Sequence, residues 1–178
     1  MTPATFNVQF STTKGEFTVT AHSDWAPKGA DRFHELVKSG FFSDIAFFRV
    51  LDGFVAQFGI SGDPEVSARW RTNSIQDDPV VGTNTAGTLS FAMAGPDTRT
   101  SQLFINLMDN TRLDDMGFSP FAEVTDGFDV VRALHSGYGE GGPRGSGPDQ
   151  SRIQSHGNAY LRAEFPDLDY ITEATIVE

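Results

Sequence analysis

Arg49 and Gln57 are the residues of this chain whose setting most demands a chemical explanation. They fall in Phe47-Phe48-Arg49-Val50-Leu51-Asp52-Gly53-Phe54-Val55-Ala56-Gln57. Two apolar runs flank an Asp52-Gly53 turn, so each residue sits in one strand of a hairpin. A guanidinium within an apolar strand is costly unless its N–H groups find acceptors. It either closes a structural ion pair in a barrel wall or faces a ligand, and this segment alone leaves both open. Leu89 to Ile105 repeats the theme of apolar strands carrying a few polar groups. There Gln102 and Phe104 alternate with Leu103 and share one strand face; an ordinary buried strand with a Pro-containing turn would read the same way. Leu113, Phe118 and Phe121 surround a polar loop, a pattern that core packing also satisfies.

Other chemistries find less support. None of His22, His34, His135 and His156 pairs with another at i, i+4 spacing, and His34-Glu35 lacks the second His of a zincin motif. Asp77-Asp78 and Asp114-Asp115 lack the spacing of a calcium loop, so no metal site is expected. Gly137-Tyr138-Gly139-Glu140-Gly141-Gly142 formally fits G-x-G-x-x-G. It follows a helical pattern, carries an acidic residue and runs into Pro143, so it reads as a connector rather than a phosphate loop. There is no G-x-S-x-G elbow, and the absence of Cys excludes a thiolate nucleophile, an iron–sulfur cluster and a disulfide scaffold.

The elements that must carry these side chains follow from pattern. The chain has 178 residues, a length suited to one domain with a real core. Phe6 to Phe10 and Phe17 to Ala21 alternate around a Lys14-Gly15 turn. Pro27 opens a helix that carries Ala30, Phe33, Leu36 and Val37 on one face and stops at Ser39-Gly40. Strands are expected over 46–51, 54–58, 88–94, 103–107, 120–124 and 170–177. A short helix is expected over 128–134 and a second over 150–165. Residues 60–86 read as one long polar connection, of the kind that is usually functional. The sum is a mainly β fold: a closed antiparallel barrel of about eight short strands with two or three helices. Sixteen Phe against 3 Tyr and 2 Trp imply either a ring-packed core or an apolar pocket. With 13 basic and 24 acidic residues the net charge is −11, which argues against nucleic acid or an anionic membrane as the main partner. The first residues show neither a basic start nor an apolar run, and no stretch reaches the ~18 apolar residues of a membrane span. A cytoplasmic protein is the expectation.

Together, the three segments resemble the cyclophilins, the cyclosporin-binding family of peptidyl-prolyl cis–trans isomerases. Phe47 to Gln57 is similar to the family's catalytic-arginine segment. Ser90-Phe91-Ala92-Met93-Ala94-Gly95-Pro96 with Ser101-Gln102-Leu103-Phe104-Ile105 resembles its second signature, and Leu113-Asp114 through Phe121-Ala122-Glu123-Val124 its third. The likeness covers about residues 5 to 135 and resumes in the final strand. The stretch near 137–165 looks like an insertion within a single domain spanning 1–178.

The resemblance implies a cyclophilin-like barrel and assigns roles. Arg49 takes the place of the catalytic arginine. Phe54, Val55, Phe104 and Leu113 take the proline-pocket walls, Gln57 and Gln102 the substrate-binding glutamines, and Ala92 and Met93 the backbone that pairs with an extended substrate. Phe118 stands where many members have His, keeping an apolar wall but losing a polar handle. Arg112 stands where many have a Trp that helps hold cyclosporin, so cyclosporin affinity should be reduced. Met93 replaces a frequent Asn in a role played largely by the backbone. The implied partners are proline-containing peptides and unfolded or native protein clients of a monomeric enzyme that needs no cofactor. Since a barrel of this size is filled by its own side chains, the site is expected on the outer surface. A proline-binding module with little catalysis would not need Arg49; an unrelated barrel holding a small ligand would need a lined interior cavity.

Overall fold

Alternation divides each strand into an inner and an outer face, and the hydrogen-bond register then lines those faces up across the sheet. The computed structural model describes residues 2–177. Its strands are β1 Thr5–Thr12, β2 Gly15–His22, β3 Ile45–Ala46, β4 Arg49–Leu51, β5 Val55–Phe58, β6 Thr88–Phe91, β7 Leu103–Asn106, β8 Ala122–Asp126 and β9 Tyr170–Val177. Its helices are α1 Pro27–Lys38, α2 Pro64–Trp70, α3 Phe128–Arg132 and α4 Gln150–Glu164. One antiparallel sheet runs β3-β9-β1-β2-β8-β6-β7-β5-β4.

Among the described residues the sheet is a curled half-barrel of nine strands with four α-helices, not a closed ladder of about eight strands with two or three helices. The extra strand arises where one run was expected over 46–51. That run splits at Phe47-Phe48, because the chain leaves one end of the sheet at β3 and enters the other end at β4. Among the described residues no ladder joins β3 to β4. The two ends are nevertheless tied together by a two-residue link, which forces the sheet to curl. The unforeseen α2 lies in the expected long connection. Its start carries clear signals: Pro64 at the first helical position, and Asp63 as N-cap accepting from the Glu65 N–H at 2.9 Å.

The register explains the core. Phe6 opposes Ala21, Val8 opposes Val19 and Phe10 opposes Phe17, and all six are buried inside the curl. Val50, Ala56, Phe58, Leu89, Phe91, Leu103 and Ile105 join the same cluster, with Ala30, Phe33, Leu36 and Val37 packing onto it from α1. Phe33 lies 5.1 Å from the Phe121 ring and 6.0 Å from those of Phe6 and Phe42. A second cluster joins Ala46, Phe48 and Ile60 to Ile153, Tyr160, Leu161, Phe165 and Leu168, so α4 and its flanks cover the strand end beside Arg49. Phe33→Ala should lower unfolding free energy by about 3–5 kcal/mol in a urea titration; a loss under about 1 kcal/mol would contradict this packing.

Candidate functional site

The outer face of the same strands builds the site. Arg49 on β4 opposes Gln57 on β5, and Gln57 opposes Phe104 on β7. Directly opposed residues point to the same side, so this row leaves the barrel wall together. Val55 lies two residues before Gln57 on that face. Val55, Phe104 and Leu113 form an apolar cluster separate from the core, with Phe54, Ala92 and Phe118 packed against it. The Phe104 and Phe118 rings meet edge to face at 5.5 Å.

A buried polar layer holds the walls in place. The Asn110 Nδ2–H donates to the Phe54 carbonyl at 2.9 Å, and the Asn84 Nδ2–H donates to the Phe118 carbonyl at 3.0 Å. Asn106 on the outer face of β7 donates to Asn84 Oδ1 and to Thr88 Oγ1. Asp114, next to Leu113, accepts from the Thr83 hydroxyl at 2.6 Å and from the backbone and side-chain N–H groups of Asn84 at 2.8 and 2.7 Å. Burial alone would raise its pKa. The bonds from Thr83 and Asn84 outweigh that and hold the carboxyl below its ordinary value.

Arg49 ends a chain of polar contacts. Its Nη1–H donates to Gln57 Oε1 at 3.0 Å, and the Gln57 Nε2–H donates to Gln102 Oε1 at 2.9 Å. Its Nε–H and Nη2–H donate to the two carboxylate oxygens of Glu140, both at 2.8 Å. The hydrogen bonds from Arg49 are the main reason that the Glu140 carboxyl stays below the usual carboxylate range, against the opposing effect of burial. Of the five N–H groups of a guanidinium, three are used in this way.

One open cleft of about 360 Å³ brings nearly all the expected residues together: Arg49, Phe54, Val55, Gln57, Ala92, Met93, Phe104, Leu113 and Phe118. Gln102 lines an adjoining hollow shared with Gln57, Ala92 and Met93. Arg112 lies over the outer side of Phe54, with its guanidinium carbon 5.1 Å from the ring centre. Sequence reasoning missed Met116, Glu140, Arg144 and Gln150, which also line the cleft. A signal for Glu140 did exist: an apolar-strand arginine in want of acceptors, and one carboxylate inside an otherwise glycine-rich loop.

Comparison with known proteins bears on what this cleft does. The family model "Cyclophilin type peptidyl-prolyl cis-trans isomerase/CLD" matches residues 7–157. Peptidyl-prolyl cis-trans isomerase B of Escherichia coli strain K12 is 34% identical over 133 residues, covering 70% of this chain and 80% of that protein. The Schizosaccharomyces pombe peptidyl-prolyl cis-trans isomerase ppi1 is 33% identical over 134 residues, covering 72% and 84%. Among solved structures, a Cryptosporidium parvum cyclophilin type peptidyl-prolyl cis-trans isomerase superposes with a TM-score of 0.72 at 21% identity, over 98% of both chains. The structure of that protein obtained in the presence of the dipeptide Ala-Pro gives 0.70 at 22% identity, over 97% of this chain and 99% of that one. These two structural likenesses speak for the fold.

The polar layer is testable through Asp114. Asp114→Ala leaves donors of Thr83 and buried Asn84 without their acceptor, which should cost about 1–3 kcal/mol in urea unfolding at neutral pH. Because the folded-state pKa is lowered, the wild-type contribution is present above the unfolded value and is lost as pH falls through the folded value. The deficit should therefore shrink in acid; a deficit that is the same in acid and at neutrality would remove the carboxylate as its cause.

Proposed function

The chain belongs to the cyclophilin-type peptidyl-prolyl cis-trans isomerase family, and on that footing we infer how its outer cleft acts on an X–Pro bond. The activity is peptidyl-prolyl cis–trans isomerisation of proline-containing peptides and proteins. Rotation about the peptide bond breaks amide resonance and faces a barrier of ~18–20 kcal/mol. Unaided, an X–Pro bond takes about tens to hundreds of seconds. In the twisted state the proline nitrogen becomes pyramidal and gains a lone pair. A fixed N–H donor aimed at that lone pair stabilises the transition state more than either ground state.

Arg49 supplies that donor. Phe54, Val55, Phe104, Leu113 and Phe118 grip the proline ring while the rest of the amide turns. Gln57 and Gln102 orient the flanking peptide. Ala92 already gives its N–H to the Gln102 carbonyl at 2.9 Å; its own carbonyl and the Met93 backbone are left to pair with an extended chain. The observation that carries this reading is a guanidinium lining an apolar cleft, with two N–H groups for which no acceptor lies among the described residues. The ion pair with Glu140 by itself would suit a purely structural arginine. The same side chain also lines the open apolar cleft, where it is 22% exposed and within reach of a bound peptide. The clients are unfolded or native proteins, and the enzyme works as a monomer.

Two measurements check these assignments. In an isomerisation assay on an Ala-Pro peptide, Arg49→Ala should lower kcat/KM by about 10²–10³, the loss that follows removal of one preorganised donor. A folded variant with full activity would exclude Arg49 as the catalyst. Cyclosporin binding should be weak, because Arg112 offers an exposed cation over Phe54 where an indole would add apolar surface. Arg112→Trp should tighten it; unchanged affinity would clear Arg112 of responsibility.

A further inference from the structure

We propose that Glu140 is a positioning residue for the isomerase reaction: its carboxylate fixes the plane of the Arg49 guanidinium and so aims the two free N–H groups at the proline amide. This rests on the reading of Arg49 as the catalyst. Glu140 makes two of the three hydrogen bonds that hold the guanidinium, both at 2.8 Å, and Gln57 makes the third at 3.0 Å. A bidentate carboxylate defines the plane of the fork, whereas one contact at Nη1 leaves the group free to swing about it.

The loop that presents Glu140 is built around it. The Glu140 carbonyl accepts from the Gly147 N–H at 2.9 Å, Gly142 donates to Gly147 at 3.1 Å and Gly145 donates to Gly141 at 3.0 Å. The Gly141 N–H also donates to Glu140 Oε1 at 3.0 Å, steadying the carboxylate itself. A Cβ on Gly147 would come within 2.9 Å of the Glu140 carbonyl oxygen, one on Gly145 would collide with the same atom, and one on Gly141 would strike the Pro148 carbonyl. The glycines therefore permit a coil wound tightly about this one residue. The coil is pinned at its base, where the Tyr138 ring meets Phe165 and His135, each at 4.9 Å, and its hydroxyl accepts from the Asp167 N–H at 3.0 Å. The stretch that reads in sequence as a connector is a hydrogen-bonded mount.

The carboxylate also offsets the charge of Arg49, which raises the opposite possibility, a brake. Prolyl isomerisation creates no net charge. The offset acts on a partial charge across the width of the guanidinium, while orientation governs the whole donor–lone-pair contact. Orientation is the larger effect.

The test separates turnover from binding by exchange NMR on an Ala-Pro peptide. Glu140→Gln and Glu140→Ala should lower turnover by about ten- to hundredfold and change peptide affinity by less than about threefold. The Arg49 Nε–H should exchange with solvent faster than in wild type. Arg49→Ala combined with Glu140→Gln should be no slower than Arg49→Ala alone. Slow Arg49→Ala with unchanged or faster Glu140 variants, an effect confined to affinity, or losses that multiply in the double variant would each overturn the proposal. An Arg49→Ala enzyme as fast as wild type would sink the reading of Arg49, and the role of Glu140 with it.

Discussion

The two-residue period of four neighbouring strands governs both the stability of this protein and its chemistry. In β4, β5, β7 and β6, inward residues such as Val50, Ala56, Ile105 and Leu89 complete the core, while Arg49, Gln57 and Phe104 leave the wall on the opposite side. A slip of one residue would bury the guanidinium among Phe rings and expose Phe58. Because that exchange is so costly, the core that holds the barrel together also fixes the site. Phe rings and aliphatic side chains pack the inner face, and the cleft lies on the outer one.

Outside the barrel, a cation proposed to act as catalyst needs partners that hold it without using it up. Gln57 and Glu140 take three N–H groups, and Gln102 in turn holds Gln57. The apolar walls have a comparable support. Asn84, Asn106, Asn110 and Asp114 tie the backbone of Phe54 and Phe118 to one buried polar layer. The apolar walls and the guanidinium are thus held by separate networks.

Local features of the sequence carried most of this. The Asp52-Gly53 turn and the alternation around Gln102 place Arg49, Gln57, Gln102 and Phe104 on strands because each depends on neighbours a few positions away; the choice of cleft residues comes from the resemblance of three short segments to the cyclophilins. What escaped depends on distant contacts. Glu140 is 91 residues from Arg49, and glycine-rich composition looks the same whether a loop is slack or wound around one side chain. The split between β3 and β4 is hidden in a continuous apolar run, since Phe47 and Phe48 are both buried but in different clusters. Helix α2 has cap signals but only Val66 and Trp70 against the core, too little for a helical stripe.

In the proposed mechanism a planar, preorganised donor at position 49, and not charge alone, lowers the barrier. Arg49→Lys keeps the charge and loses the fork. Exchange NMR on an X–Pro peptide reports binding and interconversion in one sample. The expected result is retained peptide binding with interconversion slowed by about 10²; an Arg49→Lys enzyme that interconverts the peptide as fast as wild type would show that charge alone suffices.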